Sequence, residues 1–190
     1  MRKIVVFENV SLDGYFTEPN GETDWFVAQP GNQKELDEFA IDSIKSTDML
    51  LFGRVTYELM AGYWPTPLAI KNDPLVAERM NNLPKVVFSR TMDKAAWSNT
   101  ILVKSDAAVK IRKMKQESGI DMVMMGSGSI VSQLAQEDLI DEYQIVMVPI
   151  ILGKGRTMFE GIKKKLRMKL TKTRTFGNGN IFLCYEPVKK

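Results

Sequence analysis

Two segments of the sequence share one design: an apolar run, a glycine, then a stretch with helical spacing. One is Leu50-Leu51-Phe52-Gly53-Arg54-Val55-Thr56-Tyr57, the other Met124-Met125-Gly126-Ser127-Gly128-Ser129-Ile130. A helix N-terminus offers unpaired N–H groups and the positive end of the helix dipole. Glycine lets that backbone approach a phosphate closely, so the pair of features binds anions. Arg54 adds a permanent charge, and Thr56 with Ser127 or Ser129 adds hydroxyl donors. Two such ends at one sheet edge would hold the two phosphates of a dinucleotide. A third apolar run, Val86-Val87-Phe88, ends in Ser89-Arg90-Thr91. That end suits a phosphate monoester such as the 2′-phosphate of NADPH. The plainer alternative at each place is a glycine ending a strand, a serine capping a helix, or a solvated strand end.

Neither glycine segment follows a familiar nucleotide fingerprint. Val131 stands where a Rossmann turn has its third glycine, the next apolar run ends in Pro149 rather than an acid, and no Gly-Lys-Ser/Thr makes a Walker loop. The 190 residues include no histidine and one cysteine, Cys184. Histidine-based triads, cysteine–histidine dyads and most zinc sites are thereby excluded, and no carboxylate cluster suggests another metal. If the chain is an enzyme, a cofactor carries the difficult step, and hydride transfer fits. The lone cysteine points to a reducing, cytoplasmic setting. The apolar run at the N-terminus stops at Glu8, too short for a signal peptide or membrane span.

Other residues have two readings each. Asp13 lies in a turn, where aspartate commonly bonds its own backbone, and is also a candidate catalytic acid. Trp64, just before Pro65, is either an aromatic wall for a planar substrate or a loop ring closing the core, and Trp25 is a similar case. The turn Leu152-Gly153-Lys154-Gly155-Arg156 could form an anion nest for a phosphorylated substrate. Between Lys154 and Arg174 stand nine Lys or Arg and one acid, Glu160. That stretch reads as the lysine-rich face of an edge strand, or as a phosphate or nucleic-acid surface. Aromatic residues are not interleaved on it, which argues against single-stranded nucleic acid.

Strands alternate with helices along one domain spanning residues 1–190. Strands are expected at Arg2–Val10, Asp48–Phe52, Lys85–Ser89, Thr100–Val103, Asp121–Met125 and Glu142–Val148. Helices are expected at Asn32–Ser46, Arg54–Ala61, Ala107–Ser118 and Ser127–Gln136. Asn32–Ser46 places Leu36, Phe39, Ala40 and Ile44 on one face. Continuous apolar runs imply a mainly parallel sheet covered on both sides. Strict alternation over Lys165–Lys172, the turn Phe176–Asn180 and a return strand Ile181–Glu186 close the chain with an antiparallel hairpin.

These segments resemble a known family. Gly53-Arg54-Val55-Thr56-Tyr57-Glu58 and Gly126-Ser127-Gly128-Ser129 resemble the two glycine turns of dihydrofolate reductases. The chain is more closely similar to the reductase domain of bacterial riboflavin biosynthesis, the RibD C-terminal domain, and its stand-alone relatives. Ser11-Leu12-Asp13-Gly14, Met60-Ala61-Gly62-Tyr63-Trp64, and Leu139-Ile140-Asp141-Glu142 leading to Pro149–Gly155 carry that similarity. The resemblance implies an α/β three-layer sandwich of the dihydrofolate-reductase type and an NADPH-dependent reduction of a small heterocycle or carbonyl. The substrate would be a pyrimidine or pterin, such as a ribosylamino-pyrimidine phosphate. It also implies NADPH contacts from Gly53, Arg54, Thr56, Ser89, Arg90 and Gly126 to Ser129, with Ser11 and Asp13 beside nicotinamide and substrate. Folate reductases carry an acid on the helix before the first glycine turn. Glu35, Asp37 and Asp42 lie on that helix here, and Asp37 joins Asp13 as a catalytic candidate. A homodimer through the C-terminal hairpin or the helix before it is expected, with no membrane partner. The alternatives are a non-catalytic, redox-sensing dinucleotide module and a basic nucleic-acid-binding protein.

Overall fold

A computed structural model describes residues 1–27 and 33–188. The strands are β1 (Ile4–Ser11), β2 (Thr47–Gly53), β3 (Lys85–Phe88), β4 (Thr100–Val103), β5 (Asp121–Met124), β6 (Glu142–Val148), β7 (Met168–Thr175) and β8 (Ile181–Pro187). The helices are α1 (Asp24–Val27), α2 (Gln33–Lys45), α3 (Arg54–Tyr63), α4 (Pro67–Asn72), α5 (Pro74–Asn82), α6 (Ala107–Met114) and α7 (Gly128–Gln136). One eight-stranded sheet runs in the order β4-β3-β2-β5-β1-β6-β8-β7. It is parallel from β4 to β6, then antiparallel across β6–β8 and β8–β7. The α/β sandwich with a terminal hairpin is therefore present.

Successive strand residues face opposite sides, so each buried strand feeds two cores. Ile4 and Val6 of β1 pack with Met122 and Met124 under α6 and α7, which contribute Ile111, Met114, Val131 and Leu134. On the other face Leu50, Phe52 and Val87 pack with Tyr57, Val76 and Met80 of α3 and α5. Phe7 joins Phe39, Val146, Val148, Phe176 and Phe182 in a third cluster under α2. Burying side chains of this size contributes about 2 kcal/mol each. Charged pairs tie the opposite end of the sheet, Arg2 with Asp48 and Lys115 with Asp141.

Three features differ from the sequence reading. The segment from Pro67 to Asn82, left unassigned, forms α4 and α5. Each starts with proline, which fits a first helical turn because its missing N–H has no partner there anyway. Thr66 caps α4 by accepting from the Ala69 N–H at 3.2 Å. The last expected alternating strand starts three residues later, at Met168, and as the sheet edge it is exposed along nearly its whole length rather than half-buried. Helix α6 ends at Met114 rather than Ser118. Asn32 and the side chains of Leu36, Asp37, Ala40 and Ile44 lie outside the described residues.

The order of the strands creates the crevice. After β2 the chain moves outward to β3 through α3, α4 and α5 on one face. After β5 it crosses β1 to β6 through α7 on the other. Adjacent strands whose connections diverge leave a gap at their carboxyl ends, where α/β folds bind ligands.

Candidate functional site

The three strand ends singled out in the sequence stand side by side. Gly53 at the end of β2 is in register with Phe88 of β3, so Ser89 and Arg90 leave β3 at the level where Arg54 starts α3. On its other side the Gly53 N–H donates to the Gly126 carbonyl at 2.8 Å, and the Met125 N–H to the Leu51 carbonyl at 3.1 Å. Both glycines are required by contact. A Cβ on Gly53 would overlap Ser127 Oγ and come within 2.9 Å of the Ser127 nitrogen. Gly126 has φ of +79°, and a Cβ there would meet Glu8 Oε1 and Thr56 Oγ1, each at 2.8 Å. The Gly126–Ser127 peptide is cis.

Helices α3 and α7 both begin without a side-chain cap. Their first-turn N–H groups therefore remain for a ligand. Ser127 and Ser129 place their hydroxyls 3.2 Å apart beside the second turn. This donor set, two uncapped helix starts with close-packed glycines and hydroxyls, fits a diphosphate. Arg54 lies outside the turn, exposed and paired with Glu58 at 2.8 Å. Ser89 Oγ accepts from the N–H groups of Thr91 and Met92, so it shapes its own turn, while Arg90 is exposed.

Beside these turns opens a cleft of about 680 Å³. Thr56, Leu59, Met60 and Trp64 of α3 form one wall and Phe39 and Ser43 of α2 another. Phe7, Glu8 and Asn9 of β1 with Val123, Met125 and Gln144 form the floor. Thr56, Trp64, Ser127, Gly128 and Ser129 thus line the cleft. Trp64 donates its indole N–H to Met60 Sδ at 3.2 Å and ends α3.

Other candidates stand elsewhere. Asp13 is a latch: it accepts from Ser11 Oγ at 2.7 Å, the Leu152 N–H at 3.2 Å and the Gly153 N–H at 2.7 Å. The Ser11 hydroxyl, with the two backbone donors, holds its carboxyl below the usual range. Ser11, Asp13 and Gly153 do not line the cleft. The nest at Gly153 does form, but Asp13 fills it. Trp25 is buried in the α2-side core rather than in the cleft wall. Glu35 accepts from Arg174 at 3.0 Å and from the Gly177 N–H at 3.0 Å. Asp42 pairs with Lys45 at the surface. The Asp37 side chain lies outside the described residues. Among the described residues no group of three His, Cys, Asp or Glu is placed to hold a metal.

Glu8 is the site residue the sequence reading passed over. It stands in β1 between Phe7 and Asn9, half-buried, with Oε1 close to Gly126. Enclosure pushes its pKa from 4.5 up to about 8. Among the described residues it has no hydrogen-bond or ion-pair partner. The sequence signal is an acid directly after the apolar run Ile4 to Phe7 within one strand, where a buried carboxyl is costly unless something uses it.

The model of the RibD C-terminal domain family matches residues 2–182. The chain belongs to the RibD C-terminal domain family. Two Bacillus subtilis proteins, YyaP and YwjB, are similar along nearly their full lengths. YyaP is 27% identical over 184 residues, covering 97% of this chain and 94% of its own. YwjB is 28% identical over 176 residues, 93% of each. A solved protein assigned to riboflavin biosynthesis in Shewanella sp. PV-4 shares the fold with a TM-score of 0.76 at 24% identity, over 98% of this chain and 99% of that one. Dihydrofolate reductase from Enterococcus faecalis, solved with NADP(H), superposes with a TM-score of 0.63 at 14% identity, over 98% and 97%. This RibD C-terminal domain therefore has the fold of the Shewanella protein and of dihydrofolate reductase. No helix among its described residues is long and apolar enough to cross a membrane.

Proposed function

We propose that the protein is an NADPH-dependent reductase that delivers hydride to a small planar heterocycle. The observation that carries this reading is the locked pair of glycine turns at the β2–β5 crevice, opening on an aromatic-walled cleft. When bound, NADPH supplies the hydride. The N–H groups starting α3 and α7, with Thr56, Ser127 and Ser129, would hold its diphosphate. Arg54, Ser89 and Arg90 would face the 2′-phosphate, Arg54 exchanging Glu58 for it. Trp64 and Phe39 would flank a flat acceptor, and the apolar walls would exclude water.

The cleft favours an acceptor without phosphate. Its charged lining among the described residues is Glu8, Asp73, Glu160 and one base, Arg156. The anion nest at Gly153 is filled by Asp13. A pterin-like ring suits this balance better than a phosphoribosyl pyrimidine. Assembly as a homodimer through the exposed edge β7 belongs to the same proposal, and gel filtration tests it. The function is tested by calorimetric titration with NADPH and NADH, followed by an acceptor screen beginning with pterins. Tight, NADPH-preferring binding is expected, and absence of binding to either nucleotide would overturn the reading.

A further inference from the structure

Reducing a neutral C=N or C=O bond requires more than hydride. The carbon takes the hydride, and the heteroatom must take a proton or remain as an unstable anion. The carboxyls of Asp13 and Glu35 are bound up in the latch and the Arg174 contact. Glu160 is exposed at the rim, and Asp73 sits at the α4–α5 junction. Glu8 differs from all of these. It lines the cleft floor, half-buried, with Oε1 close to the Gly126 turn.

We infer that Glu8 is the proton donor of the reaction, handing its carboxyl proton to the acceptor heteroatom as the neighbouring carbon receives hydride. The inference rests on the reductase reading. The balance is complete: NADPH becomes NADP⁺, the acceptor C=N becomes CH–NH, and Glu8 passes from acid to carboxylate. Solvent entering the opened cleft then reprotonates it. The groups around the carboxyl leave it neutral. Ile145 flanks it from β6. Gly126 from the β5–α7 turn and Thr56 from α3 present no charge. The charged members of the cleft lining are Arg156, Glu160 and Asp73, and none of them shifts Glu8; burial alone holds it protonated near neutral pH. A neutral carboxyl next to phosphate-binding turns also avoids repelling an anionic cofactor.

The test uses Glu8→Gln, which keeps size and polarity but carries no transferable acid. Two probes are compared with NADPH: a 7,8-dihydropterin, whose C=N bond needs hydride and proton, and N-methylacridinium, a permanent cation that needs hydride only. Glu8→Gln should lose dihydropterin turnover about 100-fold or more while keeping acridinium turnover and NADPH affinity. The wild-type rate with dihydropterin should fall above about pH 8, and that limb should vanish in the variant. Infrared difference spectra, wild type minus variant, should contain a protonated-carboxyl band at neutral pH. Equal dihydropterin turnover by both proteins would overturn the assignment while leaving the reductase reading intact. So would the absence of the carboxyl band, which needs no acceptor at all. A wild type that reduces neither probe would remove both readings.

Discussion

Glu8 makes a prediction about folding as well as chemistry. An ordinary glutamate ionises near 4.5 and Glu8 near 8. Below 4.5 both the folded and unfolded chains hold the proton, and nothing is lost. As pH rises, the unfolded chain releases its proton while the folded one keeps it, so stability falls until about pH 8 and then levels off. At about 1.4 kcal/mol per pH unit the gap amounts to an upper bound of about 5 kcal/mol. Water reaching the half-buried carboxyl from the cleft reduces that cost, so a loss of at least about 2 kcal/mol is expected. Glu8→Gln has no proton to lose there. Urea unfolding of both proteins at about pH 5 and about pH 9 should therefore show the variant gaining at least about 2 kcal/mol on the wild type at the higher pH. Two stability curves that run parallel across this range would mean that Glu8 ionises like a solvated acid, and the reasoning would fail.

Four further outcomes are expected. Arg54→Ala should weaken NADPH by about 2 kcal/mol, read by calorimetry, because one charged contact is lost. Gly53→Ala should abolish NADPH binding and lower the melting temperature, since the new methyl group collides with Ser127 and pries the two turns apart. Asp13→Asn should lower the melting temperature by loosening the loop latch while leaving the rate with any accepted substrate in place; a collapse of that rate alone would restore Asp13 to the chemistry. Tyr57→Phe should cost about 1–3 kcal/mol in urea unfolding, because the phenol oxygen accepts the buried Trp97 N–H at 2.8 Å and nothing replaces it.

Much of the architecture was legible because it was written in local patterns. Leu50-Leu51-Phe52 and Met122-Val123-Met124 are apolar on both faces, as parallel strands buried between helices must be. The glycine after each marked the crevice, and the sheet does bring Gly53 and Gly126 into contact. What remained hidden depended on distant partners. Nothing near Asp13 in the chain reveals that its carboxyl reaches the N–H groups of Leu152 and Gly153. Glu35 likewise looks like a solvated helix acid until the hairpin brings Arg174 to it. The short helices α4 and α5 carry no assignment in the sequence, because each is only about two to three turns long and opens on a proline. Glu8 lies within the strand expected at Arg2–Val10, but the approach of its carboxyl to Gly126 depends on the distant turn after β5.

The place of β1 in the sheet also dictates a schedule. It is made before every other strand, yet it is the filling between β5 and β6, with Ile4 in register with Met122 and Val5 with Glu142. Its two neighbours are synthesised more than a hundred residues later. At roughly 10 residues per second the apolar strand waits on the order of 10 s before its slot exists. The cleft floor that β1 carries can therefore be completed only after β6 has been made.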